Sequence, residues 1–298
     1  MHLPADMLQG AVCPLTATLS IAGIGLAAAA LLRKPQHAPK PTDCALAGAT
    51  VFALQMLNYP LPGGLSGHLL GGVFASALLG VPGGVLITSL VLLIQTLLFA
   101  DGGLGMLGAN VLNMAILGAG AGGWFLERLR ARAWNQSAAF ACAGALSVML
   151  GAGALCLELA ACGRLSGALL GTLLGTHLAV AAVEGAATCA LLALVPRTQG
   201  QGLTRRATAA LSLTLAAALA LTPLASALPD ALEWSLARFH LLPGAPNFAA
   251  APFADYALPA IASEALGTLA AALLGAALLA ALAFTLAALT RHLVPARR

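Results

Sequence analysis

Between Gly83 and Phe99 the chain carries no charged side chain and no alternation of polar with apolar residues. Comparable apolar runs recur from Val12 to Thr290, most of them near the length of about 20 residues that a helix needs to cross a bilayer. Strands closed into a barrel would read instead as ~10-residue pieces of alternating character. In lipid the backbone must satisfy its own polar groups, so the runs are helices. Only 8% of the residues are charged and 60% are apolar, against about 25% charged in a soluble domain. A soluble globular enzyme is excluded, and the chain reads as an all-α polytopic membrane protein.

Bounded by Pro, Gly or charge, the runs fall at about 11–32, 43–58, 66–80, 83–100, 104–123, 136–160, 166–194, 208–227 and 259–290. This gives about seven helices before Pro196 and about two more after residue 204. The second and third runs are short, and Pro60, Pro62, Gly63 and Gly64 interrupt the chain between them, which predicts non-helical backbone at membrane depth, lining a cavity. Of the 14 basic residues, only Arg164 and Arg238 fall on one side of the predicted membrane. The other connections hold Arg33, Lys34, Lys40, Arg128, Arg130, Arg132, Arg197, Arg205, Arg206, Arg291, Arg297 and Arg298. The positive-inside bias places the N-terminus outside the cell membrane and the C-terminus in the cytoplasm, with an odd number of spans. Met1 to Pro14 contains no Lys or Arg, so it is read as retained rather than as a signal peptide.

Asp6, Asp101, Asp230, Glu233 and Asp255 collect on the outer side, with Glu158 near a helix end. Such acidity concentrates cations, and it suits solvated loops equally well. A net charge of +4 gives no case for nucleic acid. The six cysteines show no CxxC or Cys–His spacing and read as small buried filler. Gly163, Gly167, Gly171 and Gly175 recur every fourth residue, making a smooth ridge suited to close packing within the chain or to docking another subunit.

Met1 and His2 form a ready chelator. The terminal amine, the His2 amide nitrogen and the His2 imidazole can close adjacent small rings around one ion, a planar nitrogen set that suits nickel(II) or copper(II) and tolerates cobalt(II). His68, among glycines on the same outer side, is the candidate fourth ligand; a solvated terminus is the alternative for His2. His177 and Glu184 lie seven residues apart on one helix face, placed for an ion relay or for a polar contact between helices. Gly64-Leu65-Ser66-Gly67 has the Gly-x-Ser-Gly form of intramembrane serine proteases, with Ser66 as nucleophile and His177 as base. No second cluster of oxyanion donors accompanies it.

Met1-His2-Leu3-Pro4, Phe52-Ala53-Leu54-Gln55-Met56-Leu57-Asn58-Tyr59-Pro60, Ser66-Gly67-His68-Leu69-Leu70-Gly71-Gly72, Asp101-Gly102-Gly103-Leu104 and Gly108-Ala109-Asn110-Val111-Leu112-Asn113-Met114 together resemble the CbiM/NikM family over roughly residues 1 to 195. These are substrate-capture subunits of energy-coupling-factor ABC transporters for cobalt or nickel. The resemblance implies seven helices with the N-terminus inserted over the ion, and ligands at Met1, His2 and His68. Gln55, Asn58, Asp101 and Asn110 lie in the matching segments as supports for those ligands. Beyond residue 204, Pro229-Asp230-Ala231-Leu232-Glu233 and Pro252-Phe253-Ala254-Asp255-Tyr256 resemble a fused companion domain of the PDGLE type, in which Ala231 replaces a glycine. The implied domains are 1–203 for capture and 204–298 for the companion. A transmembrane coupling subunit and two cytoplasmic ATPases are the implied partners. The chain contains no G-x-x-x-x-G-K-[ST] loop, so ATP hydrolysis falls to those partners. No cofactor is expected, and the transported ion is nickel(II) or cobalt(II), with a tilt toward nickel from the fusion.

Overall fold

Uninterrupted apolar sequence forms long helices, and Pro, Gly and capping residues end them. The computed structural model describes residues 2–195, 202–242, 251–258 and 260–293. In chain order they form α1 (Val12–Arg33), α2 (Pro41–Gln55), strands β1 (Tyr59–Leu61) and β2 (Leu65–Gly67), α3 (Gly72–Leu79), α4 (Val81–Phe99) and α5 (Leu104–Ala131). There follow α6 (Gln136–Ala161), α7 (Gly167–Leu194), α8 (Arg205–Leu224), the short α9 (Ala231–Arg238) and α10 (Glu264–Leu293). Seven of these are long and apolar enough to cross a membrane: α1, α4, α5, α6, α7, α8 and α10. The protein is a multi-pass helical membrane protein. Asn135, Ser166, Thr204 and Asp230 cap the first turns of α6, α7, α8 and α9 with side-chain oxygens, filling donors that no helical carbonyl reaches.

Each of the nine expected runs forms a helix, but α2 with 15 residues and α3 with 8 fall short of a bilayer's width, leaving seven candidate spans among the described residues. The third begins at Gly72 rather than near residue 66, because Leu65–Gly67 pairs with Tyr59–Leu61 in an antiparallel hairpin. Gly80, at φ 79°, reverses the chain so that α3 packs back against α4.

Residues 68–71 link β2 to α3 without regular structure, and their backbone groups are satisfied from other helices. Glu184 on α7 accepts the Leu70 N–H at 2.7 Å and the Gly71 N–H at 2.9 Å, while Gln55 on α2 donates to the Leu70 carbonyl at 2.7 Å. Glu184 is thus a backbone anchor, and no Glu184–His177 bond is present among the described residues. His177 bonds the Leu173 carbonyl one turn away.

Arg291 donates to the Ala38 carbonyl, and the Leu203 N–H donates to Asp43, which brings the α1–α2 link, the start of α8 and the end of α10 to one end of the bundle. Arg164 donates to the Met7 carbonyl at the opposite end. Arg197, Arg297 and Arg298 lie outside the described residues. The cysteine expectation holds for Cys44 and Cys156 only: Cys142 is exposed and the other three are half-buried. Among the described residues a Cβ added at Gly163, Gly167, Gly171 or Gly175 would meet nothing within 4 Å, so the ridge does not pack against them.

Replacing Glu184 by Ala orphans two buried N–H groups, each worth about 1–3 kcal/mol when left unpaired. Thermal unfolding of the detergent-solubilised chain is expected to show a clear drop for Glu184→Ala and a smaller one for Glu184→Gln, whose amide oxygen keeps one acceptor.

Candidate metal centre

The N-terminal segment is laid across one end of the bundle by main-chain contacts. Leu3 donates to Asn110 Oδ1 at 2.8 Å, and its carbonyl accepts from Gly103 N–H at 2.9 Å. Gly103 has no room for a side chain: a Cβ there would overlap the backbone of Ala5. Gly102 sits at φ 84°, a left-handed conformation glycine adopts without cost. The Asp101-Gly102-Gly103 run is thus a backbone bed for residues 3–5. Leu3, Met7 and Leu8 then bury against α6 and α7 and against Leu232 and Leu236 of α9.

This places His2 over His68. Their rings stack with centroids 5.3 Å apart and an interplanar angle of 19°. His2 Nδ1 lies 3.2 Å from Asp101 Oδ1, and its Nε2 is buried with no hydrogen-bond partner among the described residues. His68 Nδ1 lies 3.2 Å from the Leu69 carbonyl, and its Nε2 is 3.8 Å from Asp230 Oδ2. Both rings are buried. Met1 lies outside the described residues. Among the described residues no group of three His, Cys, Asp or Glu side chains forms a metal cage.

The expected supports divide. Asp101 touches a candidate ligand directly. Asn110 fixes the backbone next to His2, Gln55 fixes the backbone after His68, and neither is bonded to an imidazole. Asn58 offers its carbonyl to Ser226 N–H at 2.8 Å. The companion region also comes to the site, which the sequence had not revealed. Ser66 N–H donates to the Pro229 carbonyl at 2.8 Å, and residues 228–230 run beside β2 as a parallel partner. Asp230 serves as N-cap of α9 in a reciprocal capping box with Glu233. Ala231 opens that helix, where no positive φ is needed and Ala substitutes for Gly without strain. Tyr256 donates to Asp101 Oδ2 at 2.5 Å. Gln95 on α4 was also missed; its buried amide lies between His2 and Tyr256 and acts on both rings. The protease pairing is not assembled, because Ser66 Oγ donates to the Leu228 carbonyl and His177 Nδ1 is turned to Leu173.

Burial holds both imidazoles below their usual pKa, His68 down to about 3, against the opposing pull of Asp101 and Asp230. At neutral pH both are uncharged, the form that ligates a metal.

Comparison with known proteins agrees with this geometry. The family profile described as "Cobalt uptake substrate-specific transmembrane region" (CbiM) matches residues 2–202, and a PDGLE domain profile matches residues 204–292. A putative fused nickel transport protein of Archaeoglobus fulgidus is 42% identical over 153 residues, 51% of this chain and 50% of that protein. A fused nickel transport protein of Rhodobacter capsulatus is 38% identical over 120 residues, 40% of this chain and 34% of that protein. A cobalt transport protein of Sorangium cellulosum is 36% identical over 121 residues, 40% of this chain and 54% of that protein. The chain thus spans about half the length of these relatives, or less. A truncated transition metal transporter of known crystal structure superposes with a TM-score of 0.55 at 25% identity, over 65% of this chain and 97% of that one.

The unfolded chain takes up protons on histidine near pH 6.5, whereas folded His68 does so only near pH 3. The stability held by the neutral ring is present above pH 6.5 and is lost progressively as pH falls toward 3. The metal-free chain is expected to melt at a lower temperature at about pH 5 than at neutral pH, and His68→Gln to flatten that dependence.

Proposed function

This chain belongs to the CbiM family, and from that premise we propose that it is the ion-capturing membrane subunit of an ATP-driven importer for nickel(II) or cobalt(II). The ion enters from the outer side and is chelated by the Met1 amine, the His2 amide nitrogen and imidazole, and the His68 imidazole. The observation that carries this reading is the buried, stacked pair of His2 and His68, with His2 on an N-terminal segment that two hydrogen bonds of the Leu3 main chain and a glycine bed hold in place. Two side-chain nitrogens supplemented by main-chain nitrogens suit an ion that prefers a tetragonal nitrogen field. Asp101 stands beside His2 as an outer support, and Gln55, Asn58 and Asn110 hold the backbone from which the ligands project.

A transmembrane coupling subunit and two cytoplasmic ATPases supply the energy, because the chain has no nucleotide-binding loop of its own. It performs no covalent chemistry. Residues 1–203 form the capture domain and 204–298 the companion domain. The end carrying Arg33, Lys34, Lys40 and Arg291 faces the cytoplasm, and the N-terminus faces out. Nickel is the favoured ion, since relatives sharing the fused arrangement are named as nickel transport proteins.

The test is equilibrium binding of nickel and cobalt, in parallel, to the detergent-purified chain. The chain beginning at Met1 is expected to hold about one ion, and a chain extended before Met1 none, because the amine becomes an amide. His68→Ala is expected to weaken binding by more than about tenfold, the scale at which even outer-shell changes act. Equal binding by native and extended chains removes Met1 from the ligand set.

A further inference from the structure

A cavity of about 1180 Å³ lies between the regions matched by the CbiM and PDGLE profiles and reaches His2 and His68. Its lining carries five carboxylates and, among the described residues, neither Lys nor Arg. Arg164 and Arg238 lie outside that lining, the first donating to the Met7 carbonyl at 2.9 Å and the second set over the Trp234 ring. A cleft that holds charge of one sign between low-dielectric walls focuses its field and concentrates ions of the opposite sign.

The lining is graded in exposure. Asp6, Glu233 and Asp255 are exposed, Asp101 and Asp230 are half-buried, and His2 and His68 are buried. The cavity thus runs from a carboxylate mouth to an imidazole end, and it needs both regions, because Asp230, Glu233 and Asp255 stand beyond residue 204. An uncharged group points to the same kind of guest. Gln55 lines the cavity at 3% exposure; its Nε2 holds the Leu70 carbonyl, while its Oε1 has no hydrogen-bond partner among the described residues. A buried acceptor without a donor is costly. Water bound to a divalent metal is acidified and donates strongly, so it suits this oxygen and the carboxylates alike. Imidazole nitrogen, at the buried end, is the better direct ligand for nickel.

We propose that this cavity is the admission route of the transported dication: Asp6, Glu233 and Asp255 gather the hydrated ion at the mouth, and it exchanges water for nitrogen only at the buried end. These three carboxylates meet the hydration shell and not the metal itself. They therefore set the rate of capture and leave the final coordination to the chelate. Two of the three belong to the companion region, which speeds loading without supplying a ligand. This inference rests on the metal-capture reading above.

The experiment uses the full chain with Met1 at its N-terminus, in detergent, as native protein, as Asp6→Asn, Glu233→Gln and Asp255→Asn singly, and as the triple variant. Asn tolerates the left-handed backbone of Asp6 (φ 61°) and Asp255 (φ 53°), and Gln at 233 keeps the reciprocal cap of α9. Rapid mixing with nickel, and separately with cobalt, gives association rates at low and high potassium chloride. A chase with a strong chelator gives dissociation rates, and melting temperatures are recorded. The native association rate is expected to fall as salt rises, since screening shortens the reach of the carboxylates. At low salt the triple variant is expected to associate roughly tenfold more slowly, the lower end of what focusing supplies, and to lose most of its salt dependence. Its dissociation and melting are expected to match the native chain. Each single variant is expected to slow association about twofold, and these carry the same test should the triple variant melt early. Native-like association in the variants overturns the inference and leaves the capture reading intact. Slow association that keeps the full salt dependence, or a loss carried by faster dissociation, also overturns it, as either assigns these residues a part other than steering. A native chain that binds neither ion removes the capture reading and this inference with it.

Discussion

A buried carboxylate on α7 makes the rest of the candidate site possible. Residues 68–71 leave helical geometry inside a helical bundle, where an unpaired amide is costly. Glu184 takes two of those amides and Gln55 a carbonyl. With its backbone secured from below, the chain can turn at Gly71, begin α3 and leave His68 facing the N-terminal segment. A helix carried straight through this stretch would give His68 no such freedom.

Everything else at that end is convergence of distant pieces on a small volume. His2 arrives on a segment bedded on Gly102 and Gly103, His68 from an unwound link, Asp101 from the end of α4, and Asp230 and Tyr256 from beyond residue 204. Shared apolar burial joins them, with Leu3 and Met7 in one cluster with Leu232 and Leu236. The polar contacts decide orientation, and the burial decides that the pieces meet at all.

Much of this was legible in the sequence, for physical reasons. Long apolar runs dictate helices when lipid is the solvent, so the nine helices and their order could be read directly, though not that α2 and α3 stop short of a full pass. The pairing of His2 with His68 followed from ligand chemistry and from the motifs of a known family. The rest depends on contacts that local pattern does not encode. Periodicity showed that His177 and Glu184 share a face but not that Glu184 reaches Leu70 and Gly71, over a hundred positions away. The glycine ridge had the right spacing for packing, yet spacing carries no sign, and the ridge does not pack against the described residues. Three-residue strands are too short to register as alternation. Tyr256 shares its connection with Phe253, and nothing in the local sequence shows that it reaches Asp101, 155 positions away. The Asp230–Glu233 spacing, by contrast, is a helix-start signature that composition does announce.

The seam between β2 and residues 228–230 is small: a main-chain bond and a hydroxyl bond at Ser66, with Ser226 bonded to Asn58 nearby. As an encounter between two separate polypeptides, so few contacts would face the full translational and rotational entropy of association. On one chain, α8 already delivers the segment to that end of the bundle, and the second partner is present at an effective concentration of about millimolar for a short tether. Covalent continuity thus lets a meagre edge-to-edge contact persist, with the strength of the join residing in the helix that leads to it.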